Sequence, residues 1–145
     1  MYNRNKAELI GFLAEKPTIG TTGGGIKFAR LRIVTNRSWK DRDTGDWKEA
    51  SEGHRVATFD PYIVERCEKL DKGAYVLVSG ELRNSKRDVN GETQYFYGIF
   101  LPNKVGELRV LDRPKRNEQG GGSETGGGYD NNGGGSYDQD DEIPF

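Results

Sequence analysis

The chemistry open to this sequence is concentrated where cations stand beside aromatic side chains. Trp39 lies between Ser38 and Lys40, with Arg37 and Arg42 close by, and Trp47 lies beside Lys48. Arg55 and Phe59 share one strand face, while Arg83 leads into a polar stretch that holds Lys86 and Arg87. Cations can follow a phosphate track and flat rings can take unpaired bases, so the two residue types together suit a single nucleic-acid strand. Each residue also has a plainer reading, because an aromatic side chain in a strand more often packs a core. Trp39 and Trp47 sit in polar surroundings that no core pattern claims, so stacking is expected of them. Phe59 ends a strand beside a helix and reads equally as packing. Tyr95 and Tyr97 share a strand face with Ile99 and Leu101, which places them in the core. Arg30 and Arg32 either solvate a sheet face or meet phosphate.

Catalytic chemistry is poorly supplied. The single cysteine, Cys67, excludes an intrachain disulfide, and with the single histidine, His54, it falls short of the roughly four ligands of a structural zinc site. Cys67 falls on the apolar stripe of a helix, away from any role as a nucleophile, and His54 points to the face opposite Arg55. No phosphate-binding loop or persuasive carboxylate pair is present. The expectation is a non-enzymatic protein with no cofactor and no metal.

The elements that must position these residues follow from alternation and turn signals. Residues 8 to 13 read as a first strand that bulges or coils at Gly11, and Gly23-Gly24-Gly25 reads as a turn. Between residues 26 and 35, Ala29, Leu31 and Ile33 fall on one face and Arg30 and Arg32 on the other. Residues 36 to 51 are polar and read as a long hairpin connection. A third strand covers residues 52 to 59. Asp60-Pro61 then suits the N-cap and N1 of a short helix carrying Ile63, Cys67 and Leu70, with Gly73 as its C-cap. Two strands follow, residues 75 to 83 and 94 to 101, joined by a polar loop containing the hairpin dipeptide Asn90-Gly91. Residues 105 to 111 add a last strand. Three strands, a helix, then two or three strands is the order of an all-β, five-stranded OB-fold Greek-key barrel.

Composition changes at Pro114. Residues 114 to 145 hold two basic residues against seven acidic ones, a net of −5, and since the whole chain carries −1, the first 113 residues carry +4. A body of that sign attracts phosphate, and an acidic tail competes for the same surface. Three glycine triplets make residues 114 to 139 a disordered linker. The last six residues, Asp140, Asp141, Glu142, Ile143, Pro144 and Phe145, differ from a solvated acidic end. They combine carboxylates, a rigid proline and a terminal aromatic anchor, which suits a basic-rimmed pocket on a partner protein. No apolar leader or membrane-length stretch is present, so an intracellular protein without a membrane partner is expected.

The runs from Asn5 to Gly11, Ser38 to Asp41, Thr44-Gly45, Lys48-Glu49, Glu52 to Val56, Lys72-Gly73 and Gly80 to Arg83 resemble the bacterial-type single-stranded DNA-binding proteins. The resemblance covers residues 4 to 111 and resumes at the acidic tip. It implies an OB-fold homotetramer that wraps single-stranded DNA and recruits replication, recombination and repair proteins through the tip. By position, Trp39 and Phe59 match base-stacking residues of that family; Lys6, Arg55, Lys72 and Lys86 match its DNA-contacting cations; His54 matches a subunit-interface residue. It also implies a cytoplasmic, nucleoid-associated protein encoded by a bacterium, phage or plasmid. Two departures stand out: family members commonly carry an aromatic where this chain has Gly53, and often another where it has Arg87. Trp47 is a candidate to compensate. An OB-fold interaction adaptor and an RNA-binding protein are the alternative readings.

Overall fold

The structure is a computed structural model that describes residues 1–114 and Phe145. Its strands are β1 (Ala7–Leu13), β2 (Thr18–Thr21), β3 (Lys27–Lys40) and β4 (Trp47–Thr58) before the helix α1 (Pro61–Glu68), then β5 (Tyr75–Val89), β6 (Glu92–Leu101) and β7 (Glu107–Asp112).

Five of these strands close on themselves, and alternation explains why they can. Every second residue faces inward, so Ala29, Leu31 and Ile33 of β3, Val56 of β4, Val76 and Val78 of β5, and Ile99 and Leu101 of β6 meet in one buried core. Antiparallel pairing joins β1 to β3, β3 to β4, β6 to β5 and β5 back to β1, and a parallel pairing of β4 with β6 completes the ring. The helix lies in the connection between the third and fourth barrel strands, β4 and β5, and packs Ile63, Val64 and Cys67 into the core. This is the expected OB-type barrel. The short strands β2 and β7 are additions, paired to β3 and β5. β7 corresponds to the anticipated last strand. β2 was not anticipated: Thr18–Thr21 is too short to show a period.

Gly11 marks the point where β1 must serve both of its neighbours. A Cβ there would lie 2.4 Å from the carbonyl oxygen of Val34, so a side chain would push β1 off β3. The helix starts as its residues dictate: Asp60 caps it by accepting from the Tyr62 N–H at 2.9 Å. The other Asp60 oxygen accepts from the Lys104 N–H, also at 2.9 Å, which ties the helix start to the turn between β6 and β7. A cap of this kind is worth about 0.5–2 kcal/mol. The helix ends earlier than expected, with Lys69 as its C-cap. Gly73 does adopt a positive φ of 89°, but it serves the turn into β5, where its N–H donates to the carbonyl of Leu13.

The two hairpins are longer than the sequence reading allowed. β3 and β4 stay paired out to Lys40 and Trp47, and β5 and β6 out to Val89 and Glu92. Residues 36 to 51 and 84 to 93 are therefore mostly strand, extending past the barrel as two arms. Alternation fails as a signal there because both faces of an arm meet solvent and neither selects apolar residues. The turn of the second arm is the anticipated Asn90-Gly91, with φ of 53° and 79°, the left-handed pair that a two-residue hairpin requires.

Among the described residues, no helix is long and apolar enough to cross a membrane, and no group of three or more His, Cys, Asp or Glu could hold a metal ion.

Candidate nucleic-acid interface

Strand register assigns the predicted residues to faces, because residues directly opposite one another in a ladder point the same way. Arg32 pairs with Arg55, Arg30 with Ala57, and Val34 with Gly53. Ala57 in turn pairs with Phe100 of β6, and Arg83, Ser85 and Arg87 of β5 pair with Gly98, Phe96 and Gln94. One outward face, crossing β3, β4, β6 and β5, thus collects Arg30, Arg32, Arg55, Arg83 and Arg87.

The rings that accompany these cations are only partly those the sequence suggested. The Arg55 and Arg87 guanidiniums lie 5.4 Å and 5.5 Å from the centroid of Phe96, so this ring is held by two cations. Arg83 stands 5.3 Å from the centroid of Phe100, whose ring meets Phe59 edge to face with centroids 5.8 Å apart. Neither Phe96 nor Phe100 was singled out beforehand. Strand β6 has aromatic side chains on both faces, and the parity that Tyr95 and Tyr97 share with Ile99 and Leu101 directs the core expectation to the tyrosines. The structure corrects this: Tyr95 and Tyr97 are 54% and 67% exposed. They share the inward parity of Ile99 but lie on the arm, beyond the barrel they would have filled. Lys86 lies 5.6 Å over the Tyr95 ring, on the arm face opposite Phe96.

The two tryptophans are split between faces. Trp39 pairs with Lys48, and Trp47 pairs with Lys40. Trp47 therefore has the parity of Gly53 and Arg55, whereas Trp39 and Arg37, 5.3 Å apart, have that of His54. Both indoles are exposed, Trp47 more so at 71%. Near the arm tip Lys48 pairs with Asp41 at 2.5 Å, and its ammonium holds the Asp41 carboxyl below the usual carboxylate range. Arg83 is likewise engaged by Glu81, which reduces the cation it offers to a phosphate. Lys6 and Lys72 are exposed, before β1 and in the turn ahead of β5.

At Gly53 the missing side chain has a visible consequence. The Arg32 guanidinium lies over the glycine, with Nε 3.0 Å from where a Cβ would be. The cation fills space that an aromatic would otherwise use. His54 faces the other way, half-buried, with Nε2 2.8 Å from the Thr35 hydroxyl. Cys67 is fully buried, and burial pushes its thiol up to about 12, so it stays protonated and behaves as a small apolar group. Of the terminal tip, Asp140 to Pro144 lie outside the described residues. Phe145 is buried, with its ring against the bare backbone of Gly98.

A closed five-stranded barrel with its helix between the third and fourth barrel strands defines the OB-fold class. A family model described as "Single-strand binding protein family" matches residues 4–104. The chain is 36% identical over 147 residues to the single-stranded DNA-binding protein of Rickettsia prowazekii, covering 97% of each, and equally similar to that of Rickettsia typhi. Among solved structures it is similar to Plasmodium falciparum SSB in complex with ssDNA, at 34% identity and a TM-score of 0.69. That match covers 77% of this chain and 98% of the other. A single-stranded DNA-binding protein of Thermus aquaticus, 24% identical with a TM-score of 0.61, shares the fold; the match covers 75% of this chain and 51% of the other. The chain belongs to the single-strand binding protein family.

Proposed function

We propose that this chain binds single-stranded DNA without sequence preference and keeps it unpaired during replication, recombination and repair, with no catalytic step. The observation that carries the reading is the outward face of β4, β6 and β5, where Arg55, Arg83 and Arg87 lie against Phe96 and Phe100. Cations attract the phosphates, and rings take bases through a π-face that every base possesses. Binding of this kind is insensitive to sequence. The relatives named as single-stranded DNA-binding proteins, and the solved complex with ssDNA, support extending it to this chain. Trp39, Trp47 and Phe59 add stacking surfaces, and Arg30, Arg32, Lys6, Lys72 and Lys86 add charge.

Self-association, expected as a homotetramer, draws support from an exposed apolar strip on the outer face of β1 and β5. Ile10 and Phe12 are 45% and 48% exposed, and Phe12 stacks on Tyr75 with centroids 4.7 Å apart. Such a strip costs free energy in water and favours a covering surface. His54 is assigned to the same association. The tip, Asp140 to Phe145, recruits proteins of DNA metabolism, and the protein acts in the cytoplasm, on the nucleoid.

Electrophoretic titration of the full chain and of a 1–113 truncation against single-stranded DNA, duplex DNA and RNA tests the central claim. Single-stranded DNA is expected to bind tightest to both forms. Equal affinity for duplex DNA would sink the reading, and tighter binding of RNA would move the function to RNA.

A further inference from the structure

A groove beside the helix uses none of the cations gathered on the outward sheet face. One wall is a stripe of α1 made by Pro61, Val64, Glu65 and Glu68; Ile26 and Lys27 line it from the start of β3, and Phe59 from just ahead of the helix. Its volume is about 480 Å³, within the ~300–1,000 Å³ of sites that enclose a ligand. From Pro61 to Glu68 the helix rises about 10 Å, the span of about three residues of extended chain. Three observations decide what the groove suits. First, its lining is apolar and partly wet: Ile26 is 43% exposed, Pro61 is exposed and Phe59 is half-buried, so a covering apolar group is favoured. Second, its rim is acidic. Lys27 pairs with Glu68, and Glu65 has no ion-pair partner among the described residues, which leaves these three groups one charge negative. That sign opposes the +4 of the first 113 residues, so the groove repels phosphate and attracts a cation. Third, Phe59 also meets Phe100 edge to face, so the groove borders the nucleic-acid face.

We propose that this groove docks a partner protein through a short cationic segment. An apolar or aromatic side chain of the partner enters between Ile26, Phe59 and Val64, and flanking arginines meet Glu65 and Glu68. Arginine suits the rim better than lysine, because its planar fork pairs with a carboxylate through two bonds and lies flat on an aromatic ring. An arginine at Glu68 displaces Lys27, exchanging one exposed ion pair for another at little net cost. A partner held there stands beside the bound strand and leaves Arg55, Arg87 and Phe96 uncovered, since none of them lines the groove. Neither strand binding nor the terminal tip is needed for this docking.

The isotope-labelled full chain is titrated with a synthetic peptide of one phenylalanine flanked on each side by two arginines, and followed by amide NMR shifts. Shifts are expected at Lys27, Val64, Glu65 and Glu68. They should weaken when serine replaces the phenylalanine and vanish when glutamates replace the arginines. Exchanging both rim carboxylates in a Glu65→Gln, Glu68→Gln double variant should weaken the peptide about 2- to 30-fold, as loss of two exposed charge pairs implies. Unchanged affinity in that variant, once thermal melting shows it folded, overturns the acidic rim as the recognition element. Shifts confined to residues 114 to 145 overturn the groove, because the acidic tail then takes the peptide, and an absence of shifts overturns it as well. Two further titrations identify rival occupants. If oligo-dT moves the signals of Lys27, Glu65 and Glu68, nucleic acid covers the groove. If those signals move with protein concentration alone, a second copy covers it. Either result overturns the proposal, and both leave single-stranded DNA binding standing.

Discussion

The two hairpin arms are built alike and carry their aromatic residues in opposite ways. On the β3–β4 arm Trp47 stands 71% exposed beside a six-residue connection, residues 41 to 46. On the β5–β6 arm the turn is two residues, and Phe96 is fixed between two guanidiniums. The difference separates reach from preorganisation. An exposed indole on a long arm meets a strand early but must be ordered on binding, whereas a clamped ring has already met that entropic cost. One arm is suited to capture and the other to holding.

The comparison can be broken at several points. If Arg32, Arg55, Lys86 and Arg87 each engage one phosphate, the slope of log affinity against log salt is about −2.8, and affinity falls about 50-fold between 50 and 200 mM salt. A flat salt dependence measured by fluorescence titration would remove the electrostatic half of the argument. Trp47→Ala is expected to weaken oligo-dT binding by about 1–3 kcal/mol and to reduce the fluorescence quenching that accompanies it. Because Arg55 and Arg87 both clasp Phe96, a double-mutant cycle should show coupling between them, whereas Trp47 and Arg55, far apart along β4, should be near-additive. Equal coupling would erase the distinction between the arms. Arg87→Ala should cost about 0.5–1 kcal/mol through the lost clamp on Phe96, and lower the salt slope by about 0.7. The smallest effect is expected from deleting Phe145: DNA affinity rises slightly, and capture of partner proteins by the tip is lost. Lower DNA affinity after the deletion would show that the Phe145 ring, which lies against Gly98, supports the outward face of β6 instead of covering it.

How much of this was legible depended on whether a residue had two different environments to report. Inside the barrel it did: Arg30 and Arg32 against Ala29, Leu31 and Ile33 gave the strand and its faces, and Asp60-Pro61 gave the helix start. On the arms both faces are wet, so residues 36 to 51 showed no period and read as connection. In β6 the opposite difficulty arose, since aromatic side chains on both faces hid Phe96 and Phe100 behind Tyr95 and Tyr97. The place of Phe145 on Gly98 was beyond local reading, because nothing within a few residues of either position refers to the other.

The parallel pairing of β4 with β6 also governs when this protein can become one. The Thr58 hydroxyl donates to the carbonyl of Leu101, across 43 residues of chain, and the edge of β4 has no partner until β6 arrives. Contacts of such long range make folding slow. During synthesis the edge of β4 stays open to other chains until residue 101 has emerged. The strand that completes the barrel is also the one carrying Phe96 and Phe100, so a half-made chain exposes a sticky edge before it possesses this part of the binding face.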